Sequence, residues 1–227
     1  MKNKYFFASI LMSFFIVALQ AQQEGIDPAS MMGYWKFNET TETTAADAST
    51  YGHDLTLTSG ATFVTGHAEN ALNIPYGEWA SITDPVLDVK FPCSSMGAPV
   101  EAMSVMAWVN LGTIGGRQSV IVKEAENERG FVFSVTDGFV TFQVHNLNEE
   151  KLIVLCDSAS LAVDTWYHVA ATYEYSADWS SVVKLYLNGQ LIHVDQAVPG
   201  PIKACNADLV LGAYLYHAEG TYNNYTT

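Results

Sequence analysis

The stretch that decides the fold is a hairpin near the C-terminal end of the sequence. It reads Val183-Lys184-Leu185-Tyr186-Leu187-Asn188-Gly189-Gln190-Leu191-Ile192-His193-Val194. Asn-Gly between two alternating runs favours a type I′ turn, because both central residues of that turn need positive φ. A two-residue loop then predicts the pairs Leu187 with Gln190, Leu185 with Ile192 and Val183 with Val194. One face of this hairpin is therefore predicted to pack on a core.

A second hairpin is predicted around Asp137-Gly138. Its register pairs Val135 with Val140, Phe133 with Phe142, and Phe131 with Val144. These six apolar side chains share one face, which we expect to be buried together with Leu185 and Ile192. The opposite face is mixed in character, and we expect it to meet solvent or sugar; its members are Val132, Ser134, Thr136, Phe139, Thr141 and Gln143.

Short strand patterns separated by turn signals recur along the whole sequence, from Tyr34–Phe37 to Leu209–Leu211. No stretch after the N-terminus shows a sustained helical period. This pattern is typical of an antiparallel β-sandwich.

Six motifs in sequence order carry a family resemblance. They are Gly33-Tyr34-Trp35-Lys36-Phe37-Asn38, Asp47-Ala48-Ser49-Thr50-Tyr51-Gly52-His53-Asp54, Met103-Ser104-Val105-Met106-Ala107-Trp108-Val109, Trp166-Tyr167-His168-Val169-Ala170, Leu185-Tyr186-Leu187-Asn188-Gly189 and Leu209-Val210-Leu211-Gly212. The series resembles laminin-G-like (LamG-like) domains of the concanavalin A-like group. The resemblance implies an all-β, antiparallel two-sheet jelly-roll sandwich. That fold hosts lectins, adhesion modules and polysaccharide-cleaving enzymes.

The resemblance also implies a closing strand after Leu209–Gly212, which the sequence up to Thr227 does not contain. We therefore expect a jelly roll that lacks its last strand. We also expect this chain to be part of a longer polypeptide that contains other domains.

The N-terminus has the pattern of a secretory signal peptide. Lys2 and Lys4 precede an apolar run from Tyr5 to Leu19, and Ala21 offers a small residue for cleavage. Fifteen apolar residues span roughly 22 Å, less than a ~30 Å hydrocarbon core, and no later segment is longer. The sequence predicts a signal peptide over 1–21 and one domain over 22–227, secreted or at the cell surface, with no transmembrane segment.

The charge of the chain limits the classes of partner it can bind, and the spacing of its cysteines limits the kinds of cysteine site it can form. Twenty-four acidic residues against ten basic ones make nucleic acid and anionic membranes poor partners. Cys93, Cys156 and Cys205 are too widely spaced for a zinc knuckle or a Cys-x-x-Cys motif. In an exported chain they form either one disulfide bond or three buried thiols.

A calcium site is the candidate for a cofactor. In the family, a loop after the first strand often helps to hold a structural Ca²⁺ through a carboxylate and backbone carbonyls. Asp47, Ser49 and Gly52 match that loop, whereas Thr50 and His53 replace a glycine and an asparagine. Asp47 is the predicted ligand, and a solvated turn is the alternative.

Two elements suggest an enzyme. Gln143-Val144-His145 resembles the Gln-Val-His element of jelly-roll alginate lyases, in which glutamine binds a carboxylate and histidine is the base. The other lyase motifs are absent. Glu124, Glu126 and Glu128 alternate like a glucanase carboxylate set, but the residues between them favour a charged loop. His168 is interpreted as a packed structural histidine. We therefore predict no catalytic activity, with a polysaccharide lyase as the alternative.

Aromatic residues near strand ends are candidate sugar-stacking groups: Trp79, Trp179, Tyr214 and Tyr216. With Gln143 and His145 they form the predicted ligand site. The function that the sequence favours is a secreted, non-catalytic LamG-like module that binds carbohydrate or another extracellular ligand, such as a protein. The alternatives are a polysaccharide-degrading lyase or glycoside hydrolase, and a purely structural cell-adhesion domain.

Overall fold

The computed structural model describes residues 31–83, 102–125, 128–146, 151–175, 181–198, 202, 205–218 and 221–224. The predicted signal peptide, Cys93 and Trp179 lie outside these ranges. No helix that is long and apolar enough to cross a membrane occurs in the described part of the chain.

The described residues form sixteen strands. They are β1 (Thr44–Ala45), β2 (Leu55–Leu57), β3 (Thr62–Thr65), β4 (Asn70–Asn73), β5 (Ala80–Ile82), β6 (Ala102–Asn110), β7 (Arg117–Ala125), β8 (Glu128–Thr136), β9 (Phe139–His145), β10 (Lys151–Ser160), β11 (Trp166–Glu174), β12 (Ser181–Leu187), β13 (Gln190–Val198), β14 (Leu209–Leu211), β15 (Leu215–Ala218) and β16 (Thr221–Asn224).

Two antiparallel sheets account for twelve of these strands. The large sheet has eight strands in the order β1-β2-β5-β14-β7-β8-β9-β10, and the small sheet has four in the order β13-β12-β11-β6. The hairpins β3–β4 and β15–β16 pair separately. This all-β, two-sheet antiparallel arrangement confirms the predicted jelly-roll sandwich.

The hairpin of β8 and β9 follows the prediction. Asp137 and Gly138 have φ of 52° and 86°, the two positive values that a type I′ turn needs. The three predicted cross-strand pairs are present. The side chains of all six residues are at most 2% exposed: Phe131, Phe133, Val135, Val140, Phe142 and Val144.

The core lies between this face and the inner face of the small sheet. Leu185 from β12 and Tyr173 from β11 are buried there, and Ile192 packs against the cluster while partly exposed. The rings of Phe133 and Phe142 meet edge to face at a centroid distance of 6.2 Å. Burial of large apolar side chains from both sheets provides the main stabilisation of the sandwich.

The outer face of the β8–β9 hairpin differs from the prediction. Thr136 and Phe139 are partly exposed, but the other members are buried: Val132, Ser134, Thr141 and Gln143. The alternating pattern gave the correct side of the sheet for each residue. It could not show that chain segments far away in sequence, such as Ala213 and Tyr214, lie close to this face.

The register of the β12–β13 hairpin is correct only near its turn. Asn188 and Gly189 have φ of 51° and 77°, and Leu187 pairs with Gln190 as predicted. A register shift follows, so that Leu185 pairs with His193. Ile192 is the extra residue of a β-bulge, and the predicted Leu185–Ile192 and Val183–Val194 pairs are wrong. Val194 is 41% exposed in consequence.

Two further segments differ from the sequence prediction. Tyr34–Phe37 is not a strand: only Trp35 bridges to Asp47, and Phe37 has a φ of 57°, which turns the chain out of the extended conformation. No strand was predicted after Gly212, but the residues that follow include the hairpin β15–β16.

Cys156 and Cys205 are buried thiols that take no part in a disulfide bond. The Cys156 sulfur lies 3.6 Å from the carbonyl oxygen of Ile192, and the Cys205 thiol donates to the carbonyl of Lys123 at 3.3 Å. Of the two alternatives drawn from the sequence, these two residues follow the buried-thiol one.

Replacing Gly138 with alanine is expected to lower the free energy of unfolding by about 1–2 kcal/mol, because a side chain in the left-handed region is strained. The added Cβ would also lie 3.0 Å from Ile114 Cγ2. Gly112 is a matched control: its φ is not in that region and nothing lies within 4 Å of an added Cβ. Chemical denaturation of both variants measures the difference. Equal losses would show that the turn does not depend on positive φ.

Candidate functional site

The candidate site lies on the outer face of the large sheet, at the end where the Asp137-Gly138 turn closes β8 and β9. Arg117 of β7 pairs with Thr136 of β8, Thr136 pairs with Phe139 of β9, and Phe139 pairs with Ser160 of β10. Residues paired directly across neighbouring strands have their side chains on the same face. We call Arg117, Thr136, Phe139 and Ser160 the open row.

The open row is accessible. Arg117, Thr136 and Phe139 are partly exposed and Ser160 is exposed. It combines an aromatic ring, two hydroxyls and a guanidinium group. Such a set can stack on the apolar face of a sugar and hydrogen-bond to its hydroxyls.

A buried polar network lies further along the same face, centred on Glu124. Gln143 Nε2 donates to Glu124 Oε2 at 3.0 Å, and Tyr214 OH donates to Oε1 at 3.2 Å. His145 Nδ1 lies 3.1 Å from Oε2, within ion-pair distance but outside hydrogen-bond geometry. Glu124, Gln143 and His145 are 2–6% exposed. We call these four residues the Glu124 network.

The network holds Glu124 in its ionised form. Burial acts to raise the pKa of this carboxyl group, but His145, Tyr214 and Gln143 outweigh it, so the pKa lies below its ordinary value. A buried carboxylate surrounded by donors is stable, whereas the same donors without it would be left unsatisfied.

Tyr214 connects the two parts of the face. Its hydroxyl binds Glu124, and the guanidinium carbon of Arg117 lies 4.5 Å from the centre of its ring. This distance is typical of a cation–π contact. The buried network therefore fixes the ring on which the exposed Arg117 rests.

The structure brings together three of the six predicted ligand residues: Gln143, His145 and Tyr214. Trp79 packs against Val210 and Ala213. It directly precedes β5, which is two strands away from β7, the strand of Glu124, in the large sheet. Trp179 lies outside the described residues. Tyr216 pairs with Asn223 in the β15–β16 hairpin, and its side chain is not described.

Sequence reasoning missed three residues of this face: Arg117, Glu124 and Ser160. Glu124 was assigned to a charged loop, but it is buried in β7, which extends to Ala125. Arg117 and Ser160 were not among the candidate residues that the sequence offered. Simple alternation places positions 117 and 124 on opposite faces, because they are seven residues apart. The register shift between Ser119 and Ile121 brings both side chains to the face that carries Gln143.

The loop around Asp47 is organised by its carboxylate. Oδ1 accepts hydrogen bonds from the backbone N–H groups of Tyr34 and Ser49, both at 2.8 Å. Oδ2 accepts from Ser49 Oγ at 2.6 Å and from the His53 N–H at 2.9 Å. Burial acts to raise the pKa of Asp47, but these hydrogen bonds lower it overall.

Four donors already occupy the oxygens that a cation would need, so a Ca²⁺ ion would compete with them. Among the described residues, no group of three or more His, Cys, Asp or Glu is placed to hold a metal ion. Gly52 supplies a positive φ of 71°, whereas Thr50 is not among the described residues with positive φ. Calcium at Asp47 stays a prediction.

Three aromatic side chains, His67, Trp108 and His168, form a cluster on the small sheet. Trp108 is 48% exposed, and the ring of His67 stacks on it at a centroid distance of 3.6 Å. The ring of His168 meets the edge of Trp108 at 5.5 Å, and burial lowers the pKa of His168. His168 is thus in contact with an aromatic neighbour on the outer face of β11.

Comparison with known protein families assigns the chain to a superfamily. The Laminin_G_3 family model, which describes the concanavalin A-like lectin/glucanases superfamily, matches residues 88–223, more than half of the sequence. The chain belongs to this superfamily. Comparison with curated protein sequences gives no match for this LamG-like domain.

Solved structures share the fold of the LamG-like domain at low sequence identity. The botulinum neurotoxin serotype D binding domain is 16% identical, with a TM-score of 0.61, over 82% of this chain and 43% of the other. The binding domain of Paraclostridial Mosquitocidal Protein 1 is 12% identical, with a TM-score of 0.57, over 76% and 42%.

A further similar structure is the serotype D ligand binding domain in complex with N-acetylneuraminic acid. It is 16% identical, with a TM-score of 0.59, over 82% of this chain and 43% of that one. The LamG-like domain thus spans less than half the length of each of these three structures. At such identity the similarity establishes the jelly-roll fold.

Proposed function

We propose that this LamG-like domain is a secreted, non-catalytic module that binds carbohydrate on the outer face of its large sheet. The observation that carries the proposal is the open row of Arg117, Thr136, Phe139 and Ser160, which places a ring, two hydroxyls and a guanidinium side by side across four strands. Trp79, Trp179 and Tyr216 remain predicted contributors to ligand binding.

The chemistry of the open row suits a sugar. The partly exposed ring of Phe139 offers an apolar surface for the C–H face of a pyranose. Thr136 and Ser160 can each donate and accept a hydrogen bond, as sugar hydroxyls require. Because the supporting strands are paired in register, little ordering is needed on binding.

The similar structures support a binding role. Their names describe binding domains, and one is in complex with N-acetylneuraminic acid. The superfamily also contains enzymes, so the fold by itself does not exclude catalysis. The argument against catalysis comes from the site.

In a lyase, the glutamine must be available to bind the carboxylate of a uronate, and the histidine must be available to take the proton next to it. Here Gln143 donates to Glu124, and His145 Nδ1 lies 3.1 Å from the same carboxylate. Both side chains therefore contact a carboxylate of the chain itself. A polysaccharide lyase is the second candidate, because these side chains and Tyr214 are together.

The extracellular location follows from the N-terminal pattern of Lys2, Lys4 and the apolar run, and it is part of the proposal. Structural Ca²⁺ at Asp47 is also part of it. The donors on the Asp47 carboxylate favour weak calcium binding, in the millimolar range that extracellular modules show.

A glycan array with the secreted chain tests the proposal, followed by calorimetry on the best ligand. Phe139→Ala is expected to weaken binding about tenfold or more, since it removes the stacking ring. Leu191→Ala is the matched control: it truncates a 53%-exposed apolar residue on the hairpin of the small sheet, and binding should not change.

Three outcomes would contradict the proposal. The first is the absence of any glycan ligand, and the second is equal binding by wild type and Phe139→Ala. The third is turnover: an increase in ultraviolet absorbance on uronate polymers that disappears in His145→Ala would identify a lyase.

A further inference from the structure

Arg117 is a cation with no acidic partner among the residues that the structure describes. The sequence has twenty-four acidic residues and ten basic ones, so acidic partners are plentiful. Yet no hydrogen bond or ion pair joins the Arg117 guanidinium to another of the described residues; its one contact is the stack on Tyr214. Asp137, in the adjacent turn, directs its carboxylate to the N–H of Gly116 at 2.9 Å instead.

The guanidinium is nevertheless held in place. It lies 4.5 Å from the centre of the Tyr214 ring, and the Tyr214 hydroxyl is bound to the buried Glu124. A stacked guanidinium loses less freedom when it binds a ligand than a mobile one does. Its five N–H donors form a planar fork that matches a carboxylate in two parallel hydrogen bonds.

The position of Arg117 in the open row determines what kind of anion it can meet. Thr136 is its direct neighbour, and Phe139 and Ser160 continue the same row. An anion that binds Arg117 and also contacts the rest of the open row would need an apolar face for Phe139 and hydroxyl groups for Thr136 and Ser160, next to its charge. A sugar with a carboxylate has these three features.

We propose that Arg117 is the specificity-determining residue of the site and selects sugars that carry a carboxylate. This inference rests on the proposed function. The negative charge of the chain does not prevent it, because charges more than about 8 Å away are screened at physiological ionic strength. Glu124 is buried and compensated by its own donors, so it does not repel the ligand strongly.

Calorimetry with two matched oligosaccharides tests the inference: a β-1,4-linked oligoglucuronate and the β-1,4-linked oligoglucose of equal length. The wild type is expected to bind the acidic oligosaccharide about tenfold or more tightly, as a charge-assisted bidentate contact provides. Arg117→Gln should lose this preference and bind both sugars alike. Arg117→Lys, which keeps the charge but not the fork, should retain part of it.

Lys36→Gln is the matched control, because the Lys36 ammonium also lies over an aromatic ring, that of Tyr34, at 5.6 Å. Like Arg117→Gln, it removes one positive charge, and the preference should persist. Tyr214→Phe keeps the ring but loses the hydroxyl bond to Glu124, so it should reduce the preference less than Arg117→Gln. The preference should also fall in about 1 M salt, where the screening length is ~3 Å. Thermal melts confirm that each variant is folded.

Equal binding of both oligosaccharides by the wild type, with loss in Phe139→Ala, would overturn this inference and leave the proposed function standing. A preference that survives in Arg117→Gln would also overturn it. Binding of neither oligosaccharide, nor of any other glycan, would overturn the inference and the proposed function together.

Discussion

Replacing Phe133 with alanine is expected to lower the free energy of unfolding by about 3–5 kcal/mol. The side chain is 0% exposed, and its ring packs edge to face on Phe142 at 6.2 Å. Its removal loses burial of apolar surface and leaves a cavity between the two sheets. Urea or guanidinium denaturation measures the change, with the slope of the transition checked for two-state behaviour.

Ile153→Ala is the control for Phe133→Ala. Ile153 lies in β10 of the same sheet, but its side chain is 51% exposed. Its truncation is expected to cost less than about 1 kcal/mol. Similar losses for the two variants would mean that the core is not where the register places it.

Replacing Glu124 with alanine is expected to cost about 3–5 kcal/mol, the second large effect. The substitution removes the acceptor of the hydrogen bonds from Gln143 and Tyr214. It also removes the carboxylate that lies 3.1 Å from His145 Nδ1. A buried donor without an acceptor destabilises the folded state, because it has lost its hydrogen bonds to water and has no protein hydrogen bond to compensate. The same denaturation experiment measures this change.

Glu42→Ala is the matched control. Glu42 also accepts backbone hydrogen bonds, from Thr40 at 3.1 Å and Thr41 at 3.0 Å, but it is exposed. Its loss should leave the free energy of unfolding nearly unchanged. A Glu124→Ala variant as stable as Glu42→Ala would show that the network does not stabilise the fold.

The contribution of Glu124 should depend on pH. Its pKa is depressed in the folded protein, so the folded state favours the ionised form. The stability that this provides is fully present above the pKa of an unfolded glutamate and is lost as the pH falls through the depressed value. The stability gap between wild type and Glu124→Gln should therefore narrow on acidification.

Much of the fold follows from local sequence rules. Asn188-Gly189 and Asp137-Gly138 occupy turns with two positive φ values, and the alternation around Asp137-Gly138 gave the correct register. The β-bulge at Ile192 was not predicted, because the turn rule pairs the two strands residue by residue, whereas a bulge places two residues of one strand opposite one residue of the other. Tyr34–Phe37 has strand composition, but the backbone at Phe37 takes a left-handed conformation.

The candidate site was predicted in part. Gln143, His145 and Tyr214 were identified as residues, and they lie together in the fold. Their common partner Glu124 was not, because the acceptor comes from a strand nineteen residues before Gln143 in sequence. Arg117 stacks on Tyr214, almost a hundred residues away. Contacts of this range depend on the order of strands in the sheet, which single-sequence patterns do not specify.

The two buried thiols make it possible to follow the opening of the sandwich. Cys156 lies in β10, the last strand of the large sheet, while Cys205 contacts the carbonyl of Lys123 in β7, nearer the middle of that sheet. A thiol-specific reagent can react with each only after its surroundings open, so the labelling rate reports a local opening free energy. Faster labelling of Cys156 would locate fraying at the edge of the sheet, and equal rates would indicate that the sheet opens as one cooperative unit.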